Sequence, residues 1–112
     1  MKKIEAIIRL TKFDEVRDSL ASIGIQFFTM HEVKGFGLQK GPKKMYRGSM
    51  YGPDYIARLQ LDIFVTDDKS DEVVKTITSA ARTGEIGDGK ITVTSLDAII
   101  RIRTGEIGES AI

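Results

Sequence analysis

The strongest constraint on the fold of this chain is a strand-helix-strand pattern that occurs twice. In each copy, alternating apolar and polar residues, typical of a strand buried on one face, precede apolar residues spaced for one face of a helix. The tripeptide Asp14-Glu15-Val16 in the first predicted helix recurs as Asp71-Glu72-Val73 in the second, about half the chain further on. The pattern predicts a duplicated βαβ unit, an α/β (α+β) sandwich of the ferredoxin-like type with an antiparallel four-stranded sheet and two helices.

The elements predicted from the two copies are as follows. The first copy predicts a strand over residues 4–9, a helix over 13–23 that ends at Gly24, and a strand over 26–34 that stops at Gly35. The second predicts a strand over 55–65, a helix over 71–82, a strand over 91–94 and a short strand over 98–102. Residues 38–54, between the copies, lack apolar periodicity and carry Lys40, Lys43, Lys44 and Arg47. A loop longer than about 15 residues is usually functional or disordered, so we expect an exposed functional loop.

Composition narrows the chemistry that the chain can perform. It has 112 residues and no cysteine, which excludes disulfides, a thiol nucleophile and a cysteine zinc site. The single histidine, His31, is a poor basis for a catalytic triad or a metal cluster, and we expect it on a strand surface. A domain of this size buries only about two-thirds of the surface of its unfolded chain, so a deep private cavity is difficult to build. A binding site between subunits is therefore favoured.

Charge and hydropathy limit the partners and the compartment. Seventeen Lys and Arg against 16 Asp and Glu give a formal charge of +1, so no overall field favours nucleic acid. No apolar run approaches the roughly 18 residues of a membrane-spanning helix, and the first residues do not resemble a signal peptide. We therefore expect a cytoplasmic protein.

Two basic or glycine-rich features could bind an anion. Residues 83–90 contain three glycines and end at Lys90, so backbone N–H groups and a lysine could converge on a phosphate, although the order does not match a Walker A motif. An ordinary glycine-rich turn is the alternative. Arg101 and Arg103 flank Ile102, so in a strand both would project from one face and could clamp a polyphosphate. The alternative there is a charged strand edge.

A series of short motifs in order along the chain resembles the PII nitrogen-regulatory signal transduction proteins. The motifs are Lys2-Lys3-Ile4-Glu5-Ala6-Ile7-Ile8, Glu32-Val33-Lys34-Gly35-Phe36-Gly37, Gln39-Lys40-Gly41, Tyr46-Arg47-Gly48, Tyr51, Ala81-Arg82-Thr83-Gly84, Ile86-Gly87-Asp88-Gly89-Lys90-Ile91 and Ile100-Arg101-Ile102-Arg103-Thr104-Gly105-Glu106. The resemblance covers essentially the whole chain. It implies a non-enzymatic homotrimer whose intersubunit clefts bind ATP or ADP, with Mg²⁺ accompanying ATP, and 2-oxoglutarate as an effector.

The resemblance also implies roles for particular residues in one domain spanning residues 1–112. The T-loop would span about 37–55, the B-loop about 82–90 and the C-loop about 102–112. Ile7, Thr29 and Phe64 would lie near the adenine, and Gln39 would bind the metal. The remaining binding residues implied are Gly37, Leu38, Lys40, Arg58, Gly87, Asp88, Gly89, Lys90, Arg101 and, from a neighbouring subunit, Arg103.

Some positions depart from the pattern of the family that the chain resembles. Leu38 replaces the usual arginine, and Arg58 replaces the usual lysine that pairs with a 2-oxoglutarate carboxylate. These two changes favour an alternative, a sensor of adenine nucleotides that does not respond to 2-oxoglutarate. Gln60 and Asp62, where lysine and glutamate are common, are interpreted as changes in packing. Tyr51 stands where many bacterial members are uridylylated, so it is a candidate modification site.

Partners follow from the same resemblance. The T-loop would dock on an ammonium channel or on nitrogen-assimilation enzymes and regulators, and contact with a membrane would occur only through a channel partner. Two other classes remain as alternatives for this fold. A small phosphate-ester or acyl-phosphate hydrolase needs a water-positioning side chain, and a single-stranded RNA binder needs exposed aromatic residues on its central strands, which residues 4–8 and 91–94 lack.

Overall fold

The doubled strand-helix-strand order predicted from the sequence is confirmed. The computed structural model describes residues 1–37 and 55–112. Its elements are β1 (Lys2–Arg9), α1 (Phe13–Ser22), β2 (Thr29–Phe36), β3 (Tyr55–Val65), α2 (Asp67–Ala81) and β4 (Lys90–Ser95), with single 3-10 turns at Leu10–Lys12 and Glu109–Ala111. Leu38, Gln39, Lys40, Tyr51 and most of the predicted T-loop lie outside the described residues.

The four strands form one antiparallel sheet in the order β2-β3-β1-β4. Each βαβ unit leaves a gap of one strand between its two strands, and the other unit fills that gap. The central strands β1 and β3 pair along their lengths, with Lys2 opposite Val65 and Arg9 opposite Arg58. This is the ferredoxin-like arrangement that the duplication predicts.

The hydrophobic core lies between the two helices and one face of the sheet. Alternate residues of β1 and β3 point into it, namely Ile4, Ala6, Ile8, Leu59, Leu61, Ile63 and Val65, and all of them are buried. Val16 and Val73, the third residues of the repeated tripeptide, are each fully buried on their helices. The repeat in the sequence therefore reflects two helices that present equivalent side chains to one core.

The opposite face of the sheet is open. Because side chains alternate along a strand, the residues between the core positions project from this second face, which no helix of the described residues covers. Rows of strand partners cross it. One row runs through Thr29, Asp62, Glu5 and Thr92, and the next through His31, Gln60, Ile7 and Lys90. His31 is exposed on this surface, as the sequence predicts.

Three element boundaries predicted from the sequence are wrong. The second strand does not stop at Gly35 but continues to Phe36, because Gly35 and Phe36 pair with Ile56 and Tyr55 of β3. It also begins later than residue 26, at Thr29. The second helix begins at Asp67 rather than at residue 71, and Asp67 and Asp68 place negative charge at the positive end of the helix dipole.

The first helix ends close to the predicted place. Its last residue is Ser22, and Gly24 follows with φ 89°. The amide of Ile25 donates to the carbonyl of Leu20 at 2.9 Å, and the amide of Gly24 donates to that of Ala21 at 3.0 Å. This pair of bonds is a Schellman motif, in which a glycine adopts the left-handed conformation and satisfies the last carbonyl groups.

The short strand predicted over residues 98–102 does not form. Within the described part of the chain this segment makes only an isolated bridge between Ile100 and Ile107. The amide of Gly105, at φ 74°, donates to the carbonyl of Arg101 at 2.7 Å, and the amide of Arg101 donates to that of Glu106 at 2.9 Å. A tight turn therefore replaces the strand, and the prediction that Arg101 and Arg103 project from one strand face is wrong.

No helix within residues 1–37 and 55–112 is long and apolar enough to cross a bilayer. The same described residues hold no cluster of three or more His, Cys, Asp or Glu side chains that could bind a metal ion.

Candidate functional site

The glycine-rich loop between α2 and β4 lies against the end of β1. Lys90, the first residue of β4, pairs with Ile7. Gly87 and Gly89 adopt φ values of 104° and 100°, which L-residues with a side chain rarely reach. A Cβ atom on Gly89 would overlap the carbonyl oxygen of Ile7. The glycine at this position is therefore required for close packing of the loop on the backbone of β1.

The carboxylate of Asp88 closes this loop. One of its oxygens accepts the amides of Thr83 and Gly84, each at 2.9 Å. The other accepts the Thr83 hydroxyl and, at 3.1 Å, the Nε of Arg9. The Thr83 hydroxyl, followed by the Thr83 and Gly84 amides and Arg9, holds the pKa of Asp88 far below its usual range. Asp88 is thus an anion at all ordinary pH values, with both oxygens engaged within the chain.

Two arginines from neighbouring strands meet at Gly87. Arg9 of β1 and Arg58 of β3 are strand partners. A Cβ atom on Gly87 would lie 2.9 Å from Nη2 of Arg58 and 3.3 Å from Nη2 of Arg9. Arg9 is neutralised by Asp88 and also donates to the carbonyl of Ile86 at 2.9 Å. Among the described residues, Arg58 forms no ion pair, so its charge is available to an anion.

A cleft of about 570 Å³ lies at another corner of the sheet. It brings together Thr29, Phe64 and Arg101, three of the residues predicted to bind a nucleotide. Its lining is mostly apolar with few polar groups, as small-molecule sites commonly have. The aromatic and aliphatic side chains that complete its walls are Ile25, Phe27, Phe28, Ile99, Ile100, Ala111 and Ile112. Asp62, the strand partner of Thr29, also lines it.

Arg101 is held by the chain's own C-terminal segment. Its Nη2 donates to the carbonyl of Ile112 at 3.1 Å, and its Nη1 lies 3.5 Å from an oxygen of Glu106. Arg103 is exposed in the adjoining turn. The two arginines therefore extend from a turn near the first cleft, whereas Lys90 starts β4 on the far side of the sheet.

The chain does not bring all the predicted binding residues into one pocket. Phe64 pairs with Lys3 near the start of β1, and Lys90 pairs with Ile7 near its end. Two strand spacings and four residues along a strand put Phe64 and Lys90 roughly 16 Å apart. Ile7, expected beside Thr29 and Phe64, instead lines a second cleft of about 430 Å³ with Asp88, Gly89 and Lys90. The predicted residues thus form two groups at opposite corners of the sheet.

Sequence reasoning missed three residues of these groups. Arg9 and Thr83 hold the loop through Asp88, and Asp62 lines the first cleft rather than serving only in packing. Arg9 and Asp62 had a signal in the sequence, because each lies two residues from a predicted binding residue on the same strand face, Ile7 and Phe64 respectively. Thr83 had no such signal beyond its position in the glycine-rich segment.

The six-residue sequence of residues 82–87 recurs at residues 103–108. It is too short to be a duplicated structural unit, yet both copies share one local hydrogen bond, from an amide to the threonine hydroxyl two residues earlier. The Thr83 hydroxyl accepts the amide of Glu85 at 3.1 Å, and the Thr104 hydroxyl accepts the amide of Glu106 at 3.3 Å. Only the first copy is followed by an aspartate that ties its turn to β1.

Comparison with known proteins identifies the family. A family model described as "Nitrogen regulatory protein P-II" matches residues 1–106. The chain belongs to the P-II family. Nitrogen regulatory protein P-II of Pasteurella multocida (strain Pm70) is 50% identical over 112 residues, and nitrogen regulatory protein GlnK of Escherichia coli (strain K12) is 48% identical over 112 residues. Each alignment covers all of both chains.

A solved structure supports the same P-II assignment. The crystal structure of Arabidopsis thaliana PII bound to citrate has a TM-score of 0.80 and 38% sequence identity, covering 98% of this chain and 87% of that chain. P-II proteins are signal transduction proteins of nitrogen regulation that act on protein targets and bind small-molecule effectors, and they are not enzymes. The resemblance inferred from the sequence motifs is confirmed, and so is the absence of an enzymatic role.

Proposed function

We propose that this chain is a cytoplasmic, trimeric sensor of ATP, ADP and 2-oxoglutarate. It regulates proteins of nitrogen metabolism through its T-loop. The observation that carries the proposal is the loop ending at Lys90, where Gly87 lies against the guanidinium groups of Arg9 and Arg58 and where Arg58 forms no ion pair with any described residue. Backbone amides, a lysine and an arginine are the donor set that phosphate and carboxylate groups require.

A site between subunits follows from the positions of the two groups of binding residues. Because they lie at opposite corners of one sheet, a head-to-tail contact between copies would bring one group of each subunit against the other group of its neighbour. Such a heterologous contact must close into a ring to give a finite assembly. We propose that the ring contains three copies, the number implied by the resemblance of the sequence motifs to PII proteins. Side chains such as Phe27, 82% exposed, and Ile102, 99% exposed, are apolar surface that a subunit contact would cover.

Each residue then has a proposed role. Ile7, Thr29 and Phe64 contact the adenine, and Gly87, Gly89 and Lys90 bind phosphate together with Arg101 and, from the neighbour, Arg103. Gly37, Leu38, Gln39 and Lys40 complete the site from the start of the T-loop, with Gln39 as the ligand of Mg²⁺. Arg58 binds a carboxylate of 2-oxoglutarate.

The residues described at this site fit these ligands. The guanidinium groups of Arg58 and Arg9 lie beside Gly87, and among the described residues no atom lies within 4 Å of a Cβ built on Gly37, where the T-loop begins. The mechanism is a population shift of the T-loop, about residues 37–55, between conformations that dock on targets and conformations that do not. The shift is limited by the difference in effector affinity between those conformations.

Targets reach the protein through the T-loop. We propose an ammonium channel or nitrogen-assimilation enzymes and regulators as partners, with membranes approached only through the channel and nucleic acid not bound. Tyr51 is the proposed uridylylation site. The second candidate, a nucleotide sensor that ignores 2-oxoglutarate, is favoured by the planar guanidinium of Arg58, whose Nη1 already donates to the carbonyl of Ala57 at 3.0 Å.

Calorimetric titration tests the proposal. Wild-type protein is titrated with Mg-ATP, and the loaded protein is then titrated with 2-oxoglutarate. Lys90→Ala should weaken ATP binding by about tenfold or more, because a hydrogen bond from a charged donor contributes about 1.5–3 kcal/mol. Lys75→Ala removes the same charge from the outer face of α2 and should leave affinity unchanged.

The outcomes separate the two candidates. Heat from the second titration supports the dual sensor, and loss of that heat in Arg58→Met assigns the carboxylate to Arg58. Clear ATP binding without heat from 2-oxoglutarate supports the sensor of nucleotides alone. Equal ATP affinity in Lys90→Ala and wild type would refute the phosphate site, and molecular mass by light scattering tests the trimer.

A further inference from the structure

A carboxylate at the centre of a proposed phosphate-binding loop is electrostatically unexpected. Asp88 lies between Gly87 and Gly89, and its negative charge repels a polyphosphate placed at those glycines. Arg9, only a quarter exposed in its side chain, forms an ion pair with it. An aspartate at this position must therefore favour anion binding in another way, by more than this repulsion opposes it.

The hydrogen bonds of Asp88 connect both ends of the loop. Its oxygens accept two backbone amides and a hydroxyl from residues 83 and 84, five and four positions earlier in the chain. Arg9 extends the network, because its Nε donates to Asp88 while its Nη2 donates to the carbonyl of Ile86. The backbone is thus fixed immediately before and immediately after Gly87.

We infer that Asp88 is a positioning residue that sets the loop for anion binding without contacting the ligand, and that Arg9 is its counter-ion. This inference rests on the proposed function and assigns Asp88 a role different from that of the binding residues around it. With both oxygens engaged by donors of the chain, Asp88 presents the amides of Gly87 and Gly89 and the start of β4 at Lys90. The lowered pKa of Asp88 keeps this network charged at working pH.

The ion pair between Arg9 and Asp88 also gives the two arginines at Gly87 different roles. Arg9 is neutralised and structural, whereas Arg58 keeps its charge for the ligand. Loss of Asp88 would release a second cation beside Gly87. Coulomb attraction alone would then make anions bind more tightly, but loss of loop geometry would make them bind more weakly.

Because the two effects change anion affinity in opposite directions, replacing Asp88 shows which of them is larger. Asp88→Ala should weaken Mg-ATP binding at least tenfold by calorimetry, although it removes a negative charge from the loop. Glu85→Gln is the matched control. Glu85 is exposed in the same loop, and among the described residues its carboxylate accepts no hydrogen bond. The control should bind ATP as wild type does or slightly more tightly. Equal or tighter binding by Asp88→Ala overturns the inference.

A second variant separates the hydrogen bonds from the charge. Asp88→Asn can keep one oxygen facing the Thr83 and Gly84 amides but loses the ion pair with Arg9, so we expect a smaller loss of affinity than in Asp88→Ala. Circular dichroism and assembly mass verify that both variants fold. If Asp88→Ala does not fold, the comparison of Asp88→Asn with Glu85→Gln carries the test, and equal affinity there overturns the inference.

A measurement without nucleotide distinguishes failure of this inference from failure of the proposed function. In Asp88→Ala, hydrogen exchange of the Thr83 and Gly84 amides should accelerate by about tenfold or more relative to wild type and to Glu85→Gln. Faster exchange in a protein whose wild type does not bind ATP would refute the proposed function but support the role of Asp88 in the loop. Unchanged exchange refutes that role whether or not ATP binds.

Discussion

Replacement of Gly89 by alanine tests how closely the loop packs on the sheet. Gly89 has φ 100°, and a Cβ atom there would overlap the carbonyl oxygen of Ile7, which is backbone and cannot rotate away. Gly84 provides the matched control. It has a similar φ of 89°, but no atom of the described residues lies within 4 Å of a Cβ built on it. The two variants share the conformational strain and differ only in the steric overlap.

The expected magnitudes follow from these two environments. A left-handed conformation costs an L-residue about 1–2 kcal/mol, which is the whole effect expected for Gly84→Ala. In Gly89→Ala the loop must also move away from β1, and the first pairs of the β1–β4 ladder, at Ile7 and Lys90 and at Ala6 and Ile91, are lost. Each hydrogen bond contributes about 0.5–1.5 kcal/mol net. We therefore expect a total of about 2–5 kcal/mol for Gly89→Ala.

Urea unfolding monitored by circular dichroism measures the difference. Both variants and wild type are compared at one protomer concentration, because assembly makes apparent stability depend on concentration. The slope of the transition should stay constant, and only the midpoint should fall, further for Gly89→Ala. Equal destabilisation of the two variants would show that the loop does not rest on the carbonyl of Ile7. The reasoning from close packing would then be refuted.

Two further predictions concern the core and the N-terminus. Ile77→Ala should destabilise the fold by about 2–5 kcal/mol in the same assay, because Ile77 is fully buried, whereas the exposed Lys75→Ala should change stability by less than about 0.5 kcal/mol. The Met1 ammonium lies 2.8 Å from Asp67 and lowers the pKa of that carboxyl. The ion pair therefore stabilises the fold above about pH 4. This stabilisation is lost as the pH falls through the lowered pKa. Asp67→Asn should therefore be less stable than wild type at pH 7 and should approach it at pH 2, and a constant difference between the two across this range contradicts the assignment.

The sequence predicts strands reliably where burial alone determines them. β3 runs from Tyr55 to Val65, as predicted, because its core positions alternate without interruption and both of its edges pair with neighbouring strands. The end of β2 is harder to predict. Gly35 resembles a stop signal, but pairing with Ile56 keeps it in the strand, and no local pattern reports that partner. The end of β2 is therefore a tertiary property of the hairpin.

The last segment shows a different limit. Residues 98–102 are apolar apart from Arg101, yet two hydrogen bonds between Arg101 and the residues at 105 and 106 close a turn there. The signal for that turn was Gly105, whose φ of 74° permits it. The apolar character of the segment instead reflects Ile99 and Ile100, which line the first cleft. Apolar residues that line a cleft and apolar residues of a strand have the same appearance in sequence.

The resemblance to the PII family predicted more of the candidate site than local sequence patterns did. Ranking Lys90 and the glycines beside it as a phosphate loop needed the family motifs, since a glycine-rich turn alone is common. What neither source supplied was the separation of Ile7 from Thr29 and Phe64, because a list of binding residues does not state which subunit provides each one. Sheet register shows the separation within one chain directly, since Lys90 pairs with Ile7 whereas Thr29 pairs with Asp62.

The size of the chain gives a physical reason for this division. With 112 residues, one core occupies the space between the sheet and the helices, and the clefts of about 570 and 430 Å³ are confined to its margins. Neither of these two clefts contains Phe64, Lys90 and Arg101 together. A ligand shared between two copies would bury surface that a single copy leaves exposed, and its affinity would then depend on assembly. We therefore expect dilution below the assembly constant to weaken nucleotide binding, so that affinity and oligomeric state are lost together.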